Sequence, residues 1–226
     1  MADAAAIFDF RRRQEVADWL RQKIPHQHIS ESEALIAQKT FTTPDAAGTF
    51  GRQFFFAIIR LNDPLKRVIG AAGVNSLVPA PSIGYTLHPE FWGHGYATEA
   101  VTAIVDQWCK LPRRNPEGLE LALPKERLFA ACNKENVGSV KVLQRSGFVM
   151  YDELVLEDEV AALFELYLQL RQPFQQSNTT TTWSKSTKYW DDGKIVGPLV
   201  TFAVFIVAFH TINAAEVMPL LYRRAL

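Results

Sequence analysis

The chain has 226 residues, of which 48% are hydrophobic and 21% are charged, and this length and apolar content predict a folded protein with a core rather than a disordered chain. Its 24 lysine and arginine residues balance 24 aspartate and glutamate residues, so neither net charge nor a basic stripe favours a nucleic-acid partner. The two cysteines, Cys109 and Cys132, are too few for a disulfide framework or a zinc site.

The N-terminal part of the chain predicts two helices. Residues 3–23 place apolar side chains on one side of a single amphipathic helix. Ser30–Glu33 has the pattern of a capping box, which opens a second helix over residues 32–40. The apolar run at residues 4–8 is too short for a secretory signal peptide, so we expect a cytoplasmic protein.

Three strands and a long helix follow. Residues 54–60 and 67–74 predict a β-hairpin, because a turn signal separates two apolar runs. Residues 82–87 alternate as a strand with one buried face does, and Pro89 ends that strand because proline has no N–H for the ladder. Residues 101–111 have the apolar spacing of a helix, which ends before a proline.

The turn between the third strand and this helix has the chemistry of an anion site. Residues 92–97 read Trp-Gly-His-Gly-Tyr-Ala. The first N–H groups of a helix have no partner within it and lie at the positive end of its dipole. Gly93 and Gly95 let a phosphate approach the backbone and let the turn use positive φ, so the turn predicts a pyrophosphate site. It is neither a dinucleotide fingerprint, because Thr98 replaces the third glycine, nor a P-loop.

A second informative stretch covers residues 127–148. Leu128–Cys132 predicts a short strand, either Asn133 or Asn136 caps a helix, and Gly147 ends that helix. The polar side chains of the helix are expected on its outer side: Lys141, Gln144 and Arg145.

The rest of the chain is less regular. Residues 112–126 contain three prolines and predict an insertion loop. This loop either decorates the surface or folds over a bound substrate. Residues 149–156 predict a strand, and residues 157–171 place apolar side chains on one helical stripe. Residues 175–194 are polar and low in complexity, which is typical of a linker.

The segment over residues 195–215 contains no charged residue and is long enough to cross a bilayer as a helix. Three interpretations stay open at this point: a membrane anchor, a final buried strand and helix of the sheet, or a non-native coding extension. A membrane anchor would place the protein in contact with a membrane, and residues 216–226 would follow it as a tail.

Two of these stretches together carry a family resemblance. The block at residues 92–100, followed by the Asn-x-x-Asn-x-x-Ser block that starts at residue 133, resembles the GNAT superfamily of acyl-CoA N-acyltransferases, and most closely its ribosomal-protein-alanine acetyltransferase branch. The resemblance implies one α/β (α+β) domain over residues 1–174, a mixed, mostly antiparallel twisted sheet flanked by helices. The family's first strand has no counterpart before residues 3–23, so we expect a truncated start or an exposed sheet edge, and the C-terminus is atypical.

The resemblance also implies a site for acetyl-CoA as co-substrate, without a metal. The third strand should part from the strand at residues 127–132 and expose backbone groups to the pantetheine and, through one N–H, to the thioester oxygen. The cofactor-binding residues it indicates are Tyr85, Leu87, Gly93, His94, Gly95, Tyr96, Ala97, Thr98, Asn133, Asn136 and Ser139. The candidate catalytic residues are Ser139 and Tyr151 as donors to the leaving thiolate and Glu90 as a base, with His88 as an alternative base.

These expectations describe an N-acetyltransferase that moves an acetyl group to a protein α-amine or a small amine by direct attack on the thioester. A base is useful because amines are mostly protonated at neutral pH, with pKa values of about 8 for an α-amine and about 10.4 for lysine. The alternatives are an inactive acyl-CoA-binding relic and a membrane-tethered interaction protein built on the same scaffold.

Overall fold

The computed structural model describes residues 2–45, 47–113, 126–156, 159–168 and 194–196. These residues form a single sheet with helices on its two faces. The helices are α1 (Ala2–Arg11), α2 (Gln14–Ala17), α3 (Ile29–Ala37), α4 (Tyr96–Lys110) and α5 (Val137–Arg145). The strands are β1 (Phe54–Arg60), β2 (Val68–Ser76), β3 (Ser82–Leu87), β4 (Arg127–Asn133), β5 (Val149–Val155), β6 (Val160–Tyr167) and β7 (Lys194–Val196).

The strand order is β5-β6-β4-β3-β2-β1-β7. Every neighbouring pair is antiparallel except β3 and β4, which run parallel. This arrangement confirms the predicted mixed, mostly antiparallel sheet flanked by helices. The expected strands at residues 54–60, 82–87 and 149–156 are also present, within one residue at each end.

Alternation along the strands divides the core between the two faces of the sheet. On one face, α4 and α5 cover the largest cluster, which includes the fully buried Trp108, Leu143 and Phe164. On the other face, α1–α3 cover a smaller cluster over β1 and β2, which includes Phe10 and Leu35. We call these two arrangements the α4–α5 layer and the α1–α3 layer.

The prediction of a single N-terminal helix over residues 3–23 is wrong, because the first helix ends at Arg11. Arg13 is extended, with φ −87° and ψ 129°, and α2 that follows has only four residues. The Arg11 side chain turns inward and is 6% exposed, and its backbone C=O accepts a hydrogen bond from His26 N–H. The second helix begins at Ile29, earlier than expected, and it has no side-chain hydrogen bond at its N-cap.

The helix expected over residues 157–171 is also wrong, because residues 160–167 form strand β6. This strand pairs with β4 on one side and β5 on the other. Four consecutive residues, Ala161–Phe164, are all buried, since they contribute alternately to apolar clusters on the two faces of the sheet. A continuous apolar run of this length fits a buried strand as well as a helical stripe, and the two neighbouring ladders decide in favour of the strand.

Two other predicted segments fall mostly outside the described residues. Of the proline-rich loop only the ends are described, where the Arg113 Nε–H donates to Glu126 Oε2 at 2.7 Å. Of the polar linker and the apolar segment, only residues 194–196 are described, and they pair antiparallel with β1. Within the parts of the chain that the structure describes, no helix combines the length and the hydropathy that a membrane crossing requires.

Candidate active site

The sheet is open between its two parallel strands. β3 and β4 share one register pair, Ser82 with Phe129, next to a hydrogen bond of 2.9 Å from Phe129 N–H to Pro81 C=O. No further pairing joins these two strands among the described residues, whereas β3 stays in register with β2 through Leu87. The strands therefore part on the C-terminal side of Ser82, as the family resemblance implies.

The backbone of β3 offers hydrogen-bonding groups to this opening. His88 N–H bonds to Ile69 C=O of β2, so along β3 the even-numbered residues present N–H and C=O to β2. The alternate residues, Tyr85 and Leu87, present theirs to the side where β4 has moved away. Leu87 C=O accepts a hydrogen bond of 2.9 Å from Trp92 Nε1, which leaves the Tyr85 backbone and the Leu87 N–H facing the opening.

The glycine-rich turn lies at the end of β3 and begins α4. Gly93 and Gly95 have φ of 75° and 84°, in the left-handed region that disfavours other residues. A Cβ at either glycine would meet no atom within 4 Å, so the backbone here borders open space. The first intrahelical bond of α4 runs from Glu99 N–H to Gly95 C=O, which leaves the N–H groups of residues 96–98 for a ligand.

The N-terminus of α5 lies across the opening from β3. Asn136 is the N-cap of α5, and its Oδ1 accepts a hydrogen bond of 2.9 Å from Ser139 N–H. Ser139 C=O accepts a 3.3 Å hydrogen bond from the Tyr85 hydroxyl. Burial raises the pKa of Tyr85 far above its usual value, so this phenol stays protonated and ties α5 to β3 as a donor.

A cavity of about 300 Å³ joins these elements. Nine of the residues singled out from the sequence line it: Tyr85, Leu87, Gly93, Gly95, Tyr96, Ala97, Thr98, Asn136 and Ser139. Strand β3, the glycine-rich turn and the first turn of α5 thus meet around one space. The unpaired backbone N–H groups and the open glycines fit an extended ligand with a pyrophosphate at the α4 end.

Besides Tyr151, four of the sequence candidates do not line this cavity. His94 is exposed on the turn, where its Nδ1 lies 2.7 Å from Trp92 O and its ring stacks on Tyr96. Asn133 forms a local turn, in which its Oδ1 accepts from Glu135 N–H at 2.8 Å. Glu90 is exposed on the turn after β3. His88 is buried, where its Nδ1 accepts from Glu90 N–H.

Tyr151 also lies away from the cavity. Its side chain packs with Ala131, Ala161 and Leu163, on the face of the sheet opposite the α4–α5 layer that carries Ser139. Burial, reinforced by the carboxylates of Glu165 and Asp152, raises the pKa of Tyr151 to about 12.

The structure adds two kinds of residue that the sequence did not indicate for the site. Lys141 and Arg145 of α5 are exposed, as expected, but they also line the cavity and supply its positive charge. Val16, Trp19 and Leu20 form an apolar wall from the region of α2. Their spacing of four residues places Lys141 and Arg145 on one side of α5, but nothing local in the sequence marks that side as part of the site, and nothing local brings residues 16–20 to β3.

Comparisons with known proteins agree with this geometry. A family model described as an acetyltransferase (GNAT) domain matches residues 1–149. The solved structure of spermidine N-acetyltransferase from Vibrio cholerae in complex with CoA and spermine aligns with a TM-score of 0.55 at 16% identity, over 74% of this chain and 91% of that one. The structure of RimL, the ribosomal L7/L12 α-N-protein acetyltransferase, in complex with coenzyme A aligns with a TM-score of 0.57 at 13% identity, over 75% and 90%.

An acetyltransferase of the GNAT family from Bacillus anthracis aligns with a TM-score of 0.53 at 15% identity, over 73% of this chain and 89% of that one. The comparison with curated proteins gave no match. At these identities the structural likeness concerns the fold.

Proposed function

Because this chain belongs to the acetyltransferase (GNAT) family, we propose that it transfers the acetyl group of acetyl-CoA to a primary amine. The observation that carries the proposal is the opening of the sheet beside β3, which the glycine-rich turn closes at one end. Two of the solved structures with the same fold are named as acetyltransferases of amines and hold coenzyme A.

In this proposal the backbone holds the cofactor. The N–H groups at the start of α4 bind the pyrophosphate, where the helix dipole also favours negative charge. The exposed cations Lys141 and Arg145 add attraction for the phosphates. The Asn136 side-chain amide, whose oxygen already caps α5, uses its N–H group toward the pantetheine arm.

The same opening serves the acyl transfer. The amine nitrogen attacks the thioester carbon, and negative charge develops on the thioester oxygen. A backbone N–H of Tyr85 or Leu87 stabilises that charge because it is fixed before the reaction begins. The C–S bond then breaks, and we assign the Ser139 hydroxyl as the donor that protonates the departing sulfur, on the ground that Ser139 lines the cavity.

The deciding experiment is a calorimetric titration of acetyl-CoA into the protein and into a Gly95→Glu variant. Glutamate at this position puts a carboxylate where the pyrophosphate should lie, so we expect the dissociation constant to rise by about a hundredfold or more. Gly51→Glu is the matched control. Gly51 also has positive φ, 65°, and open space around its Cβ position, but it does not line the cavity.

Three outcomes would distinguish an active enzyme, an inactive acyl-CoA-binding protein and a protein without the proposed site. Binding by the parent protein and Gly51→Glu, lost in Gly95→Glu, together with acetylation of an amine, supports the enzyme. The same binding pattern without turnover of any amine indicates an acyl-CoA-binding relic. Equal weak binding by all three proteins would overturn the proposed cofactor site.

A further inference from the structure

The wall formed by Val16, Trp19 and Leu20 lines the cavity but takes no part in the proposed cofactor site. Val16 and Leu20 are 2% and 7% exposed, whereas the Trp19 side chain is 39% exposed although it lines the cavity. A tryptophan that leaves so much apolar surface at a cavity gains free energy when a ligand covers it.

The position of this wall separates it from the phosphate end. Val16 and Leu20 belong to the cluster of the α1–α3 layer, whereas Lys141 and Arg145 are on α5, on the other face of the sheet. Thr86 of β3 lies in the same cavity. Its side chain points to the face opposite Tyr85 and Leu87, because successive strand residues alternate. The cavity therefore passes the opened edge of β3 from one face to the other.

The charged residues of the cavity lining also bear on which amine can bind. Among the described residues that line the cavity, Lys141 and Arg145 are the charged ones, and both are cationic. A polyamine would bring additional ammonium groups to this wall, and no carboxylate among the described lining residues could pair with them. An amine on an apolar or aromatic carrier would instead cover Trp19 at no electrostatic cost.

We infer that the acceptor is a primary amine whose neighbouring group is apolar or aromatic, seated against Val16, Trp19 and Leu20. The inference rests on the proposed acetyl transfer and names its substrate class. The neutral amine nitrogen forms the new C–N bond, the C–S bond of the thioester breaks, and the proton released by nitrogen ends on the sulfur of CoA. An apolar wall favours this chemistry because desolvation disfavours the ammonium form of a bound amine.

The test compares 2-phenylethylamine with spermidine as acceptors, by the rate at which the thiol of CoA is released from acetyl-CoA. We expect kcat/KM to be at least about tenfold higher for 2-phenylethylamine, which is the order of one well-buried apolar group. Equal or faster turnover of spermidine would overturn the inference and leave the acetyltransferase intact. Failure of acetyl-CoA to bind would instead overturn the proposed function, and the inference with it.

A variant pair locates the effect. Trp19→Ser should raise KM for 2-phenylethylamine by about tenfold while the dissociation constant of acetyl-CoA stays within about twofold. Phe50→Ser is the control, because Phe50 is a 70% exposed aromatic residue that does not line the cavity, and it should change neither quantity. An unchanged KM in Trp19→Ser would contradict the assignment of this wall.

If no amine is turned over, binding decides the matter. 2-Phenylethylamine is then titrated by calorimetry into the protein saturated with CoA. Saturable binding that weakens in Trp19→Ser supports the wall as its seat, and absence of binding overturns the inference.

Discussion

The two helical layers on the sheet are built in different ways. The α4–α5 layer buries large apolar side chains against the sheet, with Trp108, Leu143 and Phe164 fully enclosed. The α1–α3 layer consists of helices of 10, 4 and 9 residues. Besides its apolar cluster it buries Arg11 and Lys39, which are only 6% and 3% exposed.

Burial of these two cations costs free energy in the α1–α3 layer. Arg11 donates toward His26 Nε2, but its Nη1 is buried and has no hydrogen-bond partner among the described residues. Burial lowers the pKa of Arg11 to about 10, and burial together with the Arg11 charge lowers the pKa of Lys39 to about 8. A buried cation with an unpaired donor, as Arg11 has among the described residues, destabilises a fold.

The two layers contribute different kinds of groups to the cavity, backbone groups in one case and side chains in the other. The cofactor end of the cavity uses backbone groups held by the well-packed layer, so its geometry is fixed by the fold. The apolar wall belongs to the layer that carries the buried cations, and in our proposal the side chains of Val16, Trp19 and Leu20 determine which acceptor binds there. We therefore expect variants of the α4–α5 layer to act mainly on the cofactor and on catalysis, and variants of the α1–α3 layer to act on stability and on the acceptor.

The largest effect is expected from Ser139→Ala. If the Ser139 hydroxyl protonates the departing sulfur, kcat should fall by about a hundredfold, the usual contribution of a positioned acid. The acetyl-CoA dissociation constant should stay nearly constant, because the contacts of Ser139 with Asn136 and Tyr85 run through its backbone. The measurement is steady-state kinetics beside a calorimetric titration. An unchanged kcat would remove Ser139 from the reaction.

The next effect concerns the cations of α5. Lys141→Ala and Arg145→Ala should each weaken acetyl-CoA binding by about fivefold, since an exposed charge contributes at most about 1 kcal/mol. The effects should diminish in high salt, because exposed charges are screened. Lys134→Ala serves as the control, since Lys134 is exposed beside Glu153 and does not line the cavity. A uniform response of all three variants would mean that net charge, not position, matters.

The third prediction concerns Lys39→Met, which tests how much stability the α1–α3 layer loses by burying a charge. Below about pH 8 both the folded and the unfolded chain carry the Lys39 charge. The folded state then bears the net cost of burying this charge, after the contacts that the ammonium makes, and the variant should be more stable by about 2 kcal/mol. Between about pH 8 and pH 10.4 the folded chain has released a proton that the unfolded chain retains, so the stability of the parent protein rises with pH and the difference shrinks.

Urea unfolding at pH 7 and pH 10 measures both quantities for Lys39→Met. Lys134→Met, which alters an exposed lysine, should change stability by less than about 0.5 kcal/mol at either pH. A Lys39→Met protein that is less stable at pH 7 would show that the contacts of the ammonium outweigh its burial, and the two layers would then not differ in the way described.

The same division explains how far the sequence could be interpreted. The turn around Gly93 and Gly95 was predictable because positive φ and a helix start are local properties, and they are present in the structure. The opening beside β3 followed from the family resemblance and agrees with the single register pair between β3 and β4. Both features belong to the α4–α5 side of the molecule.

The errors arose where distant contacts decide local structure. The break after Arg11 depends on the inward turn of that side chain toward His26, which periodicity over residues 3–23 does not reveal. The apolar spacing in residues 160–167 satisfies a helix and a strand alike, and only the ladders of β4 and β5 distinguish them. The apolar wall was missed because it requires residues 16–20 to meet β3.

The smallest effect separates two roles of one side chain. The sequence left open whether Asn133 or Asn136 caps the helix, and in the structure Asn136 caps α5 and also lines the cavity. Asn136→Ala should lose about 1 kcal/mol of stability with the cap, whereas Asn136→Ser keeps an acceptor for Ser139 N–H and should stay within about 0.5 kcal/mol. Both variants lack the amide N–H group. Equal weakening of acetyl-CoA binding, by several-fold in each, would therefore show that the amide contacts the cofactor, whereas weakening in Asn136→Ala alone would reduce the role of Asn136 to holding α5 in place.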